Sequence, residues 1–126
     1  MKAILDTSGW YAATVKIDIH HPQAKSFLSR PELIVLSTVF EEIMAIIHNR
    51  FGKKSAISQG EDLRNYGITD LTQDEVYHAW KLFKTSSQKV SYVDCTVIAI
   101  ALKFDLPVFG FDRHFTKLGV TVVPSE

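Results

Sequence analysis

The sequence predicts a three-layer α/β/α sandwich on a central parallel sheet of four or five short strands, and three observations carry that prediction. Fully apolar runs such as Ala3-Ile4-Leu5 and Leu33-Ile34-Val35-Leu36 are too short for helices and read as strands. The segments between strands have helical apolar spacing, so the strands are joined by crossovers rather than hairpins. The chain has 126 residues, 46% of them apolar and 22% charged, which suits one core, so 1–126 is expected to form a single domain.

In chain order, the first strand over 3–5 stops at Asp6, where Thr7, Ser8 and Gly9 mark its exit. A short helical turn over 10–15 and a polar loop precede a helix over 22–29, with Pro22 in its first turn and Ala24, Phe27 and Leu28 on its apolar face. The strand over 33–36 leads into a helix over 38–51. Val39, Phe40, Ile43, Met44, Ile46 and Ile47 form its apolar stripe, and Gly52 its C-cap. A more polar helix over 53–66, weakened by Gly60, ends at Gly67. After a minor strand over 68–71, Thr72 and Glu75 have capping-box spacing for a helix carrying Val76, Ala79, Trp80 and Phe83, which fades at 85–87. A buried helix over 93–104 and strands over 107–109 and 120–123 complete the reading.

Charge narrows the function classes. Fourteen Lys plus Arg balance fourteen Asp plus Glu, so no bulk field draws the chain to nucleic acid or to an anionic membrane. The single cysteine, Cys95, excludes an internal disulfide and a Cys-based zinc site, and reads as a core residue in a reducing compartment. The first residues lack a secretory apolar segment and no run approaches the roughly 18 apolar residues of a membrane span. A cytoplasmic protein is expected.

In a parallel sheet, strand ends and the starts of the following helices share one rim, where ligands usually bind. Four acidic positions converge there: Asp6 after the first strand, Glu41 or Glu42 early in the next helix, Asp94 opening the buried helix, and Asp112 after the strand over 107–109. Each has an ordinary structural explanation. Asp94 stands three residues after Ser91, as in a capping box; Asp112 can cap the turn at Arg113, His114 and Phe115; Asp6 can hold an Asx turn. Together they repel one another, and stability gives no reason to gather them without a cation. An oxygen-rich set suits a hard divalent ion, Mg²⁺ with Mn²⁺ as a substitute, rather than zinc. Thr38 and Glu41 have capping-box spacing, which would occupy Glu41 and leave Glu42, beside Val39 and Ile46, facing the rim. The hydroxyls of Thr7 and Ser8 either serve Asp6 and a bound water or cap the following helix.

With these residues assembled, the chain resembles the PIN-domain family and, within it, the VapC-type ribonuclease toxins of toxin-antitoxin pairs. The matching pieces are Ile4-Leu5-Asp6-Thr7-Ser8-Gly9-Trp10, the segment 37–43 with Glu42 in the family's Glu position, Ser91-Tyr92-Val93-Asp94-Cys95, and Phe109-Gly110-Phe111-Asp112-Arg113-His114-Phe115. The resemblance spans nearly the whole chain. It implies a parallel sheet flanked by helices, an acidic metal site of Asp6, Glu42, Asp94 and Asp112, and metal-dependent cleavage of RNA to products with a 5′-phosphate and a 3′-hydroxyl. It also implies an antitoxin partner and a homodimer, for which apolar side chains over 53–83 offer an interface.

The expected chemistry is activated-water attack on the phosphodiester. Asp6 and Asp94, with Glu42 available, hold a first Mg²⁺, and Asp112 shares a second that arrives with substrate. Without the four candidate acids, ten acids face fourteen bases, and this surplus offers phosphate contacts at Arg113 beside the site or at the cluster Arg50, Lys53 and Lys54. No pair of the five histidines has the i, i+4 spacing of a zinc motif, and His114 reads as a surface hydrogen-bonding residue. A phosphoaspartyl enzyme would want a second Asp two residues after Asp6, where Ser8 stands. The remaining alternative is a binding module without catalysis, whose acidic rim docks a basic partner protein.

Overall fold

A computed structural model of the chain describes residues 1–125. Five strands, β1 (Lys2–Leu5), β2 (Glu32–Leu36), β3 (Ile68–Thr69), β4 (Val108–Phe109) and β5 (Val122–Val123), form one parallel sheet in the order β3-β2-β1-β4-β5. Seven helices accompany it among the described residues: α1 (Thr7–Thr14), α2 (His21–Phe27), α3 (Ser37–Phe51), α4 (Lys53–Arg64), α5 (Gln73–Thr85), α6 (Tyr92–Phe104) and α7 (His114–Lys117).

β1 is the centre. It pairs with β2 through Ala3↔Leu33 and Ile4↔Ile34, and with β4 through Ile4↔Val108 and Leu5↔Phe109. Successive side chains of a strand point to opposite faces, and Ala3, Ile4 and Leu5 are all fully buried, so helices cover the sheet on both sides. This is the predicted three-layer sandwich. Strand order runs outward from β1 to β2 and β3 on one side, then to β4 and β5 on the other. The crevice between the C-terminal ends of β1 and β4 is therefore the switch point, where open parallel sheets bind ligands.

Periodicity decides which helical faces are buried. α3 packs Val39, Ile43 and Ile47 inward at i, i+4 and i+8, and α6 buries Cys95, Thr96, Val97, Ile98, Ile100 and Ala101. The capping box of α5 forms as predicted, with the Thr72 N–H donating to Glu75 Oε1 at 2.8 Å and the Glu75 N–H to Thr72 Oγ1 at 3.2 Å. Glu75 Oε2 also pairs with Lys103 Nζ at 2.7 Å, tying α5 to α6. Among the described residues, no helix is long and apolar enough to cross a membrane.

Several elements depart from the sequence reading. Thr7, Ser8 and Gly9 are not a turn but the first turn of α1, because Asp6 caps that helix directly from the end of β1. The last strand shrinks to Val122–Val123, since the Val120 N–H bonds the Phe115 carbonyl and closes α7 instead of extending the ladder. Of the predicted apolar face of α5, only Ala79 is buried; Val76, Trp80 and Phe83 stay exposed. Gly60 is a packing residue, because an added Cβ would lie 3.0 Å from Met44 Sδ.

Gly9 holds α1 against the sheet. A Cβ there would sit 2.4 Å from the Phe109 carbonyl oxygen and 3.0 Å from its carbon, both backbone atoms that cannot move aside without displacing β4. Gly9→Ala is expected to destabilise the fold by about 1–3 kcal/mol, as overpacking does, and to lower the thermal unfolding midpoint on the order of 5–10 °C. A calorimetric scan with no shift would contradict this packing.

Candidate active site

The site is built where β1 and β4 end. The Asp6 N–H continues the ladder to the Phe109 carbonyl at 2.9 Å, and its own carbonyl accepts from the N–H groups of Gly9 and Trp10 at 3.1 and 3.3 Å. The carboxylate is thereby committed to the crevice: Oδ2 accepts from the Ser8 N–H at 3.2 Å and from the Ser8 hydroxyl. Ser8 Oγ in turn accepts from the Phe111 N–H at 2.9 Å, linking the exits of the two strands. Gly110 leaves room for this arrangement, since a Cβ there would stand 2.9 Å from Ser8 Oγ and 3.1 Å from Asp6 Oδ2. Of the two uses foreseen for Ser8, serving Asp6 is the one observed, and Asp6 itself does the capping.

Asp94 comes from the start of α6. The Ser91 capping box is present, with the Ser91 N–H donating to Asp94 Oδ2 at 3.0 Å and the Asp94 N–H to Ser91 Oγ at 3.1 Å. Capping and cleft-lining are thus compatible, because the cap occupies one carboxylate oxygen only. The helix start is pinned to α3 by the Thr38 and Thr96 hydroxyls, 2.8 Å apart. Asp112 follows β4. Its Oδ1 accepts from the His114 N–H at 2.9 Å and lies 2.7 Å from His114 Nδ1, so this histidine orients the carboxylate rather than acting alone.

Glu42 faces the same cleft from α3, but not for the predicted reason. α3 begins at Ser37, its N-cap is Leu36 and it has no side-chain cap bond, so Thr38 and Glu41 do not form a box. Glu42 is accordingly in the second turn. Helical position makes the choice instead: Glu42 adjoins the buried stripe and precedes Ile46 by one turn on the cleft face, whereas Glu41 points outward and is exposed.

Asp6, Glu42, Asp94 and Asp112 therefore line one cleft of about 700 Å³, together with Thr7 and Ser8. Arg113 is exposed and lies outside the set that lines it. The sequence reading passed over Tyr11, Asp18 and Asn49, set His20 aside with the other histidines, and treated Arg50 only as part of a basic cluster; all five line the cleft. Helical spacing from Glu42 would have placed Asn49 and Arg50, at i+7 and i+8. Nothing local would have placed His20.

Burial sets the electrostatics. Asp6 is 3% exposed, and loss of water pushes its carboxyl up from 3.8 to about 7, against the opposing Ser8 hydrogen bonds and with further upward pressure from Asp94 and Asp112. Asp94 is half-buried and also raised, by desolvation first and then by Asp112, with the Ser91 bonds and His114 opposing.

The donor set fits a hard divalent ion. It is all oxygen, and the Thr7 hydroxyl is buried without a protein partner at the cleft. Among the described residues, however, no three His, Cys, Asp or Glu side chains stand close enough to grip one ion. A direct cage of Asp6, Asp94 and Glu42 is therefore not preformed. Mg²⁺ usually keeps several waters and takes only one or two carboxylates, which this cleft can offer.

A family profile for the PIN domain matches residues 3–120, and the chain belongs to the PIN-domain family. Among solved structures it is similar to VapC20 of Mycobacterium tuberculosis, a sarcin-ricin loop cleaving toxin, with 25% identity, a TM-score of 0.83, and 94% of this chain and 96% of that one covered. It is also similar in fold to FitAcB from Neisseria gonorrhoeae (15% identity, TM-score 0.70, 97% and 96% covered). VapBC-1 from nontypeable Haemophilus influenzae is a further structural match (14%, 0.68, 97% and 96%). No curated protein sequence matches the chain.

The shift of Asp6 has a thermodynamic consequence. Its folded value, about 7, lies above the ordinary 3.8, so the folded state holds the proton more tightly and stability falls as pH rises through that window. The full shift corresponds to at most about 4 kcal/mol. In EDTA, Asp6→Asn is expected to unfold at a higher temperature than wild type at pH 8, with the gain vanishing near pH 4. Mg²⁺ should raise the midpoint of wild type and not of the variant. Equal midpoints at both pH values would contradict a buried, strained carboxylate.

Proposed function

We propose that residues 1–126 act as one nuclease domain, a divalent-metal-dependent endoribonuclease that hydrolyses phosphodiesters in single-stranded or structured RNA, and that it is the toxin of a toxin-antitoxin pair. The observation that carries the reading is the convergence of four carboxylates, drawn from four separate segments, in one cleft at the switch point of a PIN-domain sheet. The similarity to a sarcin-ricin loop cleaving toxin supports RNA as substrate. An antitoxin and a second copy of the chain are the partners that follow, and the buried free thiol Cys95 suits the cytoplasm.

Asp6 and Asp94 would hold the divalent ion, Mg²⁺ or Mn²⁺, with Glu42 and Asp112 available to it or to a second one. When bound, such an ion supplies Lewis-acid activation of a water and neutralises charge that develops at the phosphorus. The chain's own residues do the positioning. Ser8 fixes one oxygen of Asp6, the Ser91 cap fixes one of Asp94, and His114 fixes one of Asp112, so each acid enters the cleft with its rotamer decided. Glu42 has no hydrogen-bond or ion-pair partner among the described residues, which leaves it able to take a proton from the attacking water. The Thr7 hydroxyl supplies a further donor on the floor, and Arg113 adds an exposed cation next to Asp112 for the substrate backbone. Protonation of Asp6 competes with any cation, so activity should fall as pH drops below about 7.

Cleavage of a mixed RNA pool, with fragment ends mapped, tests this reading. Wild type with Mg²⁺ is expected to leave 5′-phosphate and 3′-hydroxyl ends, and EDTA to abolish cleavage. Asp94→Asn should cost at least about 100-fold, a typical loss for a group that orients or activates the reacting centre, as should Glu42→Gln, with Glu41→Gln near wild type. Cleavage that survives both chelation and Asp94→Asn would reject the mechanism. Absent cleavage with tight binding of a basic peptide would move the protein to the docking class.

A further inference from the structure

The cleft has a second end, chemically unlike the acidic one. Glu42, Ile46, Asn49 and Arg50 share one face of α3 and all line it. Eight residues at about 1.5 Å each separate Glu42 from Arg50 by about 12 Å along the helix. Arg50 is held from α1: its guanidinium lies 5.6 Å from the centroid of the Tyr11 ring and donates to the Tyr11 hydroxyl. Among the described residues it has no carboxylate partner, although the cleft contains five acids; the nearest in sequence to the loop, Asp18, is occupied by the His20 N–H at 2.8 Å. A guanidinium oriented by one donor, with the others left over in a groove, matches the oxygens of a phosphate.

The same cleft holds an aromatic pair. The imidazole of His20 lies flat on the ring of Phe111, with centroids 4.4 Å apart and planes within 7°. Phe111 in turn packs edge-on against the buried Phe109 at 6.3 Å, which anchors the stack in the core. Both members are half-exposed and both line the cleft. The fold makes little use of the ring: His20 precedes α2 without a side-chain cap bond, and its imidazole has no hydrogen-bond partner among the described residues. A flat, anchored, partly open π-surface in the same cleft as a phosphate-compatible cation is a platform for an unpaired base.

We propose that this cleft binds unpaired RNA through two positioning residues, His20 stacking a base on its Phe111-backed ring and Arg50, held by Tyr11, taking a phosphate distinct from the scissile one. The distance supports two separate phosphates, because about 12 Å exceeds the ~3.4 Å rise of one stacked nucleotide step. The proposal rests on the ribonuclease reading above. It also explains how a chain of zero formal net charge engages a polyanion, through one well-placed guanidinium and ring stacking instead of a basic surface.

The test compares wild type with His20→Ala, His20→Phe, Arg50→Ala and Arg50→Lys, each first shown by its melting curve to be folded. KM and kcat are measured with Mg²⁺ on a short single-stranded oligoribonucleotide, and Kd by fluorescence anisotropy on the same strand and on its duplex in EDTA. His20→Ala is expected to raise KM and the single-strand Kd about tenfold, with kcat and the duplex Kd little changed, and His20→Phe should restore both. Arg50→Ala should weaken binding to either form and reduce the slope of log K against log salt by about 1, with the slope recovered in Arg50→Lys. If wild type cleaves RNA while the Ala variants keep its KM and Kd, or if His20→Ala loses kcat and His20→Phe does not rescue it, the assignment is overturned and the ribonuclease reading stands. Wild type that neither cleaves nor binds RNA overturns both.

Discussion

Asp6 has almost no water around it, yet two further carboxylates press on it, and most of the site can be understood as accommodation of that one unfavourable charge. Desolvation alone would favour a neutral acid at the end of β1. The chain gives it donors instead, the Ser8 hydroxyl and N–H, and places Gly110 alongside, where the Cβ of any other residue would crowd Ser8 and the Asp6 carboxylate. Ser8 spans from Asp6 to the Phe111 N–H, so the same hydroxyl that steadies the acid also holds the crevice between β1 and β4 at its width. A protein selected for stability alone would have no use for this arrangement. On the proposed reading it becomes favourable when a cation enters and turns mutual repulsion into shared attraction.

Topology makes the convergence possible without any sequence proximity. Parallel strands deliver their C-terminal ends to one edge, and the reversal of strand order at β1 opens a crevice there that neither neighbour fills. Asp6 and Asp112 arrive on adjacent strands, Asp94 on the capped start of α6, and Glu42 on α3. The three aspartates are each held by a bond that a structural residue would also make, and Glu42 sits on an ordinary helix face, which is why none of the four announces itself in isolation. The cleft also runs along α3 from Glu42 to Arg50, so one groove holds both carboxylates and a guanidinium while the whole chain stays neutral.

Much of this was legible in the sequence. Apolar runs of three or four residues and helical spacing between them specified the parallel sandwich, and the positions of Asp6, Asp94 and Asp112 relative to those runs specified the rim. Glu42 was chosen partly by an argument that fails, since α3 starts one residue earlier than expected and Thr38 bonds Thr96 instead of capping. The wheel position of Glu42 beside Val39 and Ile46 was the sounder physical reason. His20 and Phe111 were not legible as a pair, because a stack between residues 91 positions apart depends on how the loop before α2 folds back over the exit of β4. The exposed face of α5 was misjudged for a related reason: periodicity shows where apolar side chains gather, not whether anything in the same chain covers them.

The central claim is that these carboxylates share a space meant for a divalent cation, and calorimetric titration of the protein with Mn²⁺ near pH 7 tests it most directly. Because burial raises the Asp6 carboxyl to about 7, cation entry should release protons, so the apparent heat should vary with the ionisation enthalpy of the buffer, and that variation should disappear in Asp6→Asn. No detectable binding, or binding with the same buffer dependence in both proteins, would contradict the account.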